Sequence, residues 1–117
     1  MKTVNKVLIV GNVSRITTLK EGENGVGRYS FGVATNREWK TKTKELKSVA
    51  EFHNVVAWGW WATHCSEHLE IGKYVLIEGY LNTLNWEEDG KTFYKTEIVV
   101  ENLIFLDKKT NKTLDKF

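Results

Sequence analysis

The sequence predicts an all-β fold, a small closed barrel carrying one helix and two hairpin arms. Three observations point there. Apolar residues recur with a period of two or in short unbroken runs, the patterns of half-buried and fully buried strands. Turn signals separate these segments at short intervals. Only one window, Trp60 to Ile71, has the spacing of an amphipathic helix.

Val4 to Val10 is a nearly continuous apolar run ending at Gly11-Asn12, which predicts a buried strand and a turn. Glu21 to Gly27 holds three glycines and reads as a loop. Tyr29, Phe31 and Val33 then alternate with Ser30, Gly32 and Ala34, so a strand with a large face and a small face follows. The small face would let a backbone or a ligand come close. Trp39 to Lys47 is lysine-rich without apolar periodicity and predicts a hairpin arm. In the next strand, Phe52, Asn54, Val56 and Trp58 share one face, and Glu51, His53, Val55 and Ala57 share the other.

Within the helical window, Trp61, Cys65 and Leu69 recur at i, i+4 and i+8 with Ala62 beside them, and Gly72 stands where a terminating glycine is expected. Lys73 to Leu81 reads as a strand whose Val75, Ile77 and Leu81 can fill the barrel. Asp89-Gly90 marks a hairpin tip. Phe93 to Leu106 is one long strand or two. Three strands, a helix and two strands make the five-stranded Greek-key barrel of the OB-fold, with its helix between strands 3 and 4. The barrel is expected over residues 1–107, with 108–117 a short, polar, basic extension.

Composition narrows the function classes. The 117 residues fit one domain, 41% hydrophobic and 27% charged, which is an ordinary globular balance. Net charge is only +2, so any polyanion partner must be argued from where the charges sit. Cys65 is the only cysteine, which excludes an internal disulfide and suits a reducing cytoplasm. No run approaches the length of a membrane span, and residues 1–6 lack the apolar core of a secretory signal. A cytoplasmic protein is expected. Five tryptophans and no proline are unusual; average usage would give about six prolines.

Five stretches carry a likeness: residues 4–12, Phe31 to Arg37 with Trp39, Glu51 to Gly59, Tyr74 to Gly79, and Thr96 to Val100. In this order and spacing the chain resembles the bacterial-type single-stranded DNA-binding proteins, from residue 4 to about residue 106. The resemblance implies bases stacked on Trp39, Phe52, Trp58 and Trp86. The residues support this independently. Phe52 and Trp58 share a strand face, and Trp39 and Trp86 lie on arms, where a core tryptophan would be odd. Trp61 belongs to the helix stripe, and Trp60 is assigned to neither group. Around Trp39, the cations Arg37, Lys40, Lys42, Lys44 and Lys47 face only Glu38 and Glu45, a local net of +3 suited to phosphates.

Departures from the family pattern are informative. Basic residues usual before the tryptophan matching Trp86 are replaced by Asn82 to Asn85, and Glu87, Glu88 and Asp89 make that tip acidic. Glu70-Ile71 replaces a basic pair. The end, Lys108 to Phe117, carries four lysines and one aspartate instead of a long linker with an acidic tip. This reads as a truncated chain or as a short-form member, such as one from a phage or mobile element.

Tyr74, Leu76, Glu78 and Tyr80 form a strand face too apolar for water alone, and a strand apolar on both faces needs cover on both. The resemblance implies that this face joins subunits into a homotetramer, with a dimer as the alternative. It also puts His53 near a subunit contact, beside the reading of an ordinary buried histidine.

No enzyme is expected. There is no phosphate loop, nucleophile elbow or paired-cysteine set. The carboxylate–arginine cluster of a staphylococcal-type nuclease, which shares the barrel, is also missing. His64, Cys65 and His68 do not make a metal site, because Cys65 belongs to the apolar stripe and no further ligand is evident. No cofactor, small-molecule substrate or membrane is expected; single-stranded DNA and further copies of the chain are the partners. The rival is an OB-fold accessory module of replication restart or recombination.

Overall fold

The chain is described here by a computed structural model covering residues 1–22 and 24–106. In chain order the elements are β1 (Val7–Arg15), β2 (Lys20–Glu21), β3 (Gly27–Lys40), β4 (Leu46–Trp58), α1 (Trp60–His68), β5 (Tyr74–Glu88) and β6 (Lys91–Phe105). The sheet runs β1-β5-β6-β4-β3-β2, and β1 also pairs with β3, which closes five strands into the expected OB barrel. The two-residue β2, which the sequence pattern does not reveal, flanks β3 outside that ring. Among the described residues no helix is long and apolar enough to cross a membrane.

The period-two pattern of β3 is the clearest determinant of the core. Tyr29, Phe31 and Val33 are buried against Val55 and Ala57 of β4 and Val75 and Ile77 of β5. Burying each large apolar side chain contributes about 1.5–3 kcal/mol. Helix α1 seals the barrel with Ala62 and Cys65, joined by Leu69 just past its end, all buried, and Trp61 packs partly against them. Burial pushes the Cys65 thiol up to about 12, so it behaves as a small core hydrophobe.

Three expectations are corrected. First, β1 does not turn at Gly11-Asn12 but continues to Arg15. Gly11 is required for close approach: a Cβ there would fall on the carbonyl of Ala34 in β3, where the barrel closes. Second, the helix ends at His68, not near Gly72. Leu69 is already extended, and Gly72 lies in the turn into β5. Third, Leu81 is exposed although it has the parity of Val75 and Ile77. The β1–β5 pairing ends at Gly79, so at Leu81 β5 has lost its neighbour on that side, although its partner Ile98 is still paired with β4 and buried.

Near that point β6 carries a bulge. Glu78 pairs with Asn102 and Gly79 with Val100, so Glu101 is skipped. Odd positions of β6 therefore face outward up to Val99, and even positions face outward from Asn102 on. Both arms are regular ribbons. One pairs Arg37 with Val49 through Lys40 with Leu46; the other runs out to Glu88 opposite Lys91. The second turns at Asp89-Gly90, both at positive φ, as a two-residue primed turn requires. The expected extension over 108–117 lies outside the described residues.

Candidate functional site

The cross-strand register fixes which side chains share a surface. On the outer face of β4, Trp58, Val56, Asn54 and Phe52 stand opposite Arg28, Ser30, Gly32 and Ala34 of β3. Val56 pairs with Val99 of β6, which carries the same face onward through Glu97, Lys95 and Phe93. Across from these, β5 contributes Asn82, Leu84 and Trp86. Phe52, Trp58 and Trp86 thus lie on one continuous outer surface. Phe52 and Trp58, six residues apart on a strand, are separated by roughly 20 Å. Small Ala34 opposite Phe52 leaves that ring 71% exposed.

Trp39 is placed differently. It shares its face with Arg37, Lys47 and Val49, the side of the arm that continues the barrel interior. The structure therefore brings three of the four expected aromatics onto one surface and puts Trp39 on the reverse of the first arm.

Each tryptophan of the set has one ring face backed by its own protein. The Arg28 guanidinium lies 5.6 Å from the Trp58 ring centre, and Arg37 lies 5.3 Å from that of Trp39. Phe93 stacks on Trp86 at 5.9 Å and 21°. Such contacts hold a ring in one orientation, yet Trp39, Trp58 and Trp86 stay 44%, 42% and 41% exposed. Flat apolar surface with solvent on it is what a second π-system can cover.

Arg28 is itself anchored. Its Nη2 donates to Oε2 of buried Glu97 at 3.1 Å, and Lys95 Nζ approaches the same oxygen at 4.0 Å. Arg15, at the end of β1, covers Gly32 and donates from Nη2 to Asn54 Oδ1 at 3.4 Å, which places a cation between Phe52 and Trp58. Sequence reasoning missed Arg15, Arg28, Phe93 and Lys95. Phe93 was within reach, since counting outward from the Asp89-Gly90 turn pairs it with Trp86. The Arg28–Glu97 bond spans 69 residues, and no local signal announces it.

The first arm's lysines are exposed around its tip. Thr41 and Glu45 close the tip: the Thr41 N–H donates to the Glu45 carbonyl at 2.9 Å, and the Lys44 N–H donates to that of Thr41 at 2.9 Å. Lys47 stands opposite Trp39, and its Nζ is 3.6 Å from the exposed Glu45 carboxylate. Lys40 is on the other face, opposite Leu46, and Lys42 and Lys44 sit on the tip itself.

The proposed contact face is also assembled. Leu76 is flanked by Val10 of β1 and Ile104 of β6, with Tyr74 and Leu8 at the ends of an exposed apolar patch. Glu78 borders it. Lys6 Nζ donates to its carboxylate at 3.2 Å and Asn102 Nδ2 at 3.4 Å, which hold the carboxyl below its usual range. Tyr80 lies beyond Glu78, beside Val99 at the foot of the second arm. His53 stands apart from the patch, half-buried on the inward-facing side of β4, 2.9 Å from Thr35 Oγ1. The His64–Cys65–His68 set is split, with Cys65 in the core and the two rings packed outside at 4.7 Å.

Residues 4–106 match the single-strand binding protein family. The chain is 34% identical over 108 residues to single-stranded DNA-binding protein 1 of Chlorobaculum tepidum, covering 91% of this chain and 67% of that one. Its fold superposes on the Plasmodium falciparum SSB, solved in complex with ssDNA, with a TM-score of 0.80 and 30% identity, over 92% of this chain and 98% of that one. A deletion variant of the Thermus aquaticus single-stranded DNA binding protein shares the fold at a TM-score of 0.79 and 20% identity, over 92% of this chain and 52% of that one.

Proposed function

The chain belongs to the single-strand binding protein family, and on that premise we propose that it binds single-stranded DNA with little sequence preference. Phe52, Trp58 and Trp86 on one outer surface, with Trp39 behind the first arm, are the base platforms. The observation that carries this reading is the set of half-backed rings: one face is fixed by Arg28, Arg37 or Phe93, and the other is left for a base. Stacking tolerates any base because every base has a π-face, and each stack is worth about 1–3 kcal/mol. Duplex bases hide those faces in their own stack, so single strands are preferred.

Phosphates run past Arg37, Lys40, Lys42, Lys44 and Lys47, with Arg15 and Arg28 contributing between platforms. The protein catalyses no reaction; its role is to shield single strands during replication, recombination and repair in the cytoplasm. The apolar patch around Leu76 suits a second copy, and a homotetramer is the expected assembly. Light scattering at micromolar concentration should report it, and a monomer would contradict it.

Tryptophan fluorescence titration with oligo(dT), against a matched duplex, tests the reading. Quenching with clear preference for the single strand is expected. Equal affinity for the duplex would refute it.

A further inference from the structure

Trp60 takes no part in the surface described above, yet at 67% it is the most exposed of the tryptophans. It is the first residue of α1 and only two residues past Trp58, so their Cα atoms lie within about 7.6 Å. Gly59 between them has φ +60, and its N–H donates to the Gly27 carbonyl at 2.9 Å, which ties this corner to β3 beside Arg28. An exposed indole in water is unfavourable unless something covers it. Here one face is covered: His64, one turn along the helix, lies parallel to it at 4.7 Å and 12°. Trp61 meets its edge at 4.8 Å and 78°. His68 continues the column at 4.7 Å from His64, beside a shallow groove lined by His64, His68, Lys73 and Phe105. Trp60 is therefore a fourth half-backed ring, built like Trp39, Trp58 and Trp86 and only two residues along the chain from Trp58.

We propose that the Trp60–His64 stack on α1 is a further single-strand subsite, in which one base stacks on the open face of Trp60 as the strand passes Trp58 toward the helix groove. This rests on the base-platform reading above. The occupant is a nucleobase, since the open element is one flat ring face adjoining a proposed strand path. A protein partner would need a broader patch than a single indole.

Affinities for an oligo(dT) length series should be measured for the native chain, Trp60→Ala, Trp60→Phe and Trp58→Ala, with light scattering on each. Trp60→Ala should weaken long strands about tenfold and leave the shortest binding strands unchanged. Trp60→Phe should keep most of the affinity. If Trp60→Ala is silent at every length while Trp58→Ala weakens binding, the subsite is refuted and the platform reading stands. If neither variant weakens binding, the platform reading itself fails. A changed mass for Trp60→Ala would assign the indole to a contact between copies and overturn the proposal.

Discussion

The two arms are the same kind of ribbon but differ in how they can hold a strand. The β3–β4 arm carries Arg37, Lys40, Lys42, Lys44 and Lys47 around Trp39, and a guanidinium backs its indole. The β5–β6 arm ends in Glu87, Glu88 and Asp89, and a phenyl ring backs its indole. Ribbon geometry alone therefore does not decide whether an arm is a phosphate track. On the proposed function, the first arm would use charge and stacking together, and the second would rely on stacking, helped only by Lys91 and by Lys95, which already lies near buried Glu97.

The strongest test of this contrast is Trp86→Ala. It should cost about 1–3 kcal/mol of affinity, while the slope of log affinity against log salt stays the same. Trp39→Ala should fall at the low end of that range, because its arm retains the cations. Titrations of both variants at one salt concentration would break the contrast if Trp39→Ala proved the worse.

Converting the second arm is the next largest effect. Glu87→Lys with Glu88→Lys should steepen the salt slope by about 0.7 for each phosphate newly neutralised, up to about 1.4. Binding should tighten most at low salt. An unchanged slope would show that the strand never reaches that tip.

Removing one cation from the first arm should matter less. Lys42→Ala should flatten the salt slope by no more than about 0.7 and leave base preference alone. At moderate salt it should weaken binding less than Trp58→Ala. The reverse order would move the affinity from the aromatic platforms to the phosphate track. The smallest effect expected is for Arg37→Lys, which keeps the charge and loses the guanidinium over Trp39. Affinity should fall by less than about 0.5 kcal/mol, with a change in Trp39 emission and no change in slope.

Much of the barrel was legible because local pattern and tertiary role agree. Tyr29, Phe31 and Val33 alternate in sequence and fill the core, and Asp89-Gly90 marks a turn and makes one. Errors fell where one local signal serves two purposes. Gly11-Asn12 reads as a turn, but the same lack of a side chain admits the Ala34 carbonyl, and only the closed barrel distinguishes the two. Leu81 keeps the parity of a core residue, but parity says nothing about where a strand loses a neighbour. At the candidate site, the exposure of Trp39 and Trp86 was legible through their odd positions on arms, and that of Phe52 and Trp58 through their shared strand face. The guanidiniums backing or dividing them were not, because Arg28 meets Glu97, and Arg15 meets Asn54, across distant parts of the chain.

The bulge at Glu101 acts as a phase slip in β6. Phe93 and Ile104 are an odd number of residues apart, so an unbroken strand would turn them to opposite sides. With Glu101 looped out, both look outward, one beneath Trp86 and the other beside Leu76. A single β-strand thereby serves the surface proposed to hold single-stranded DNA at one end and the apolar patch at the other. Excising that one residue would act on the protein's exterior as a frameshift acts on a reading frame: every side chain on one flank keeps its identity, and all of them are delivered to the wrong side.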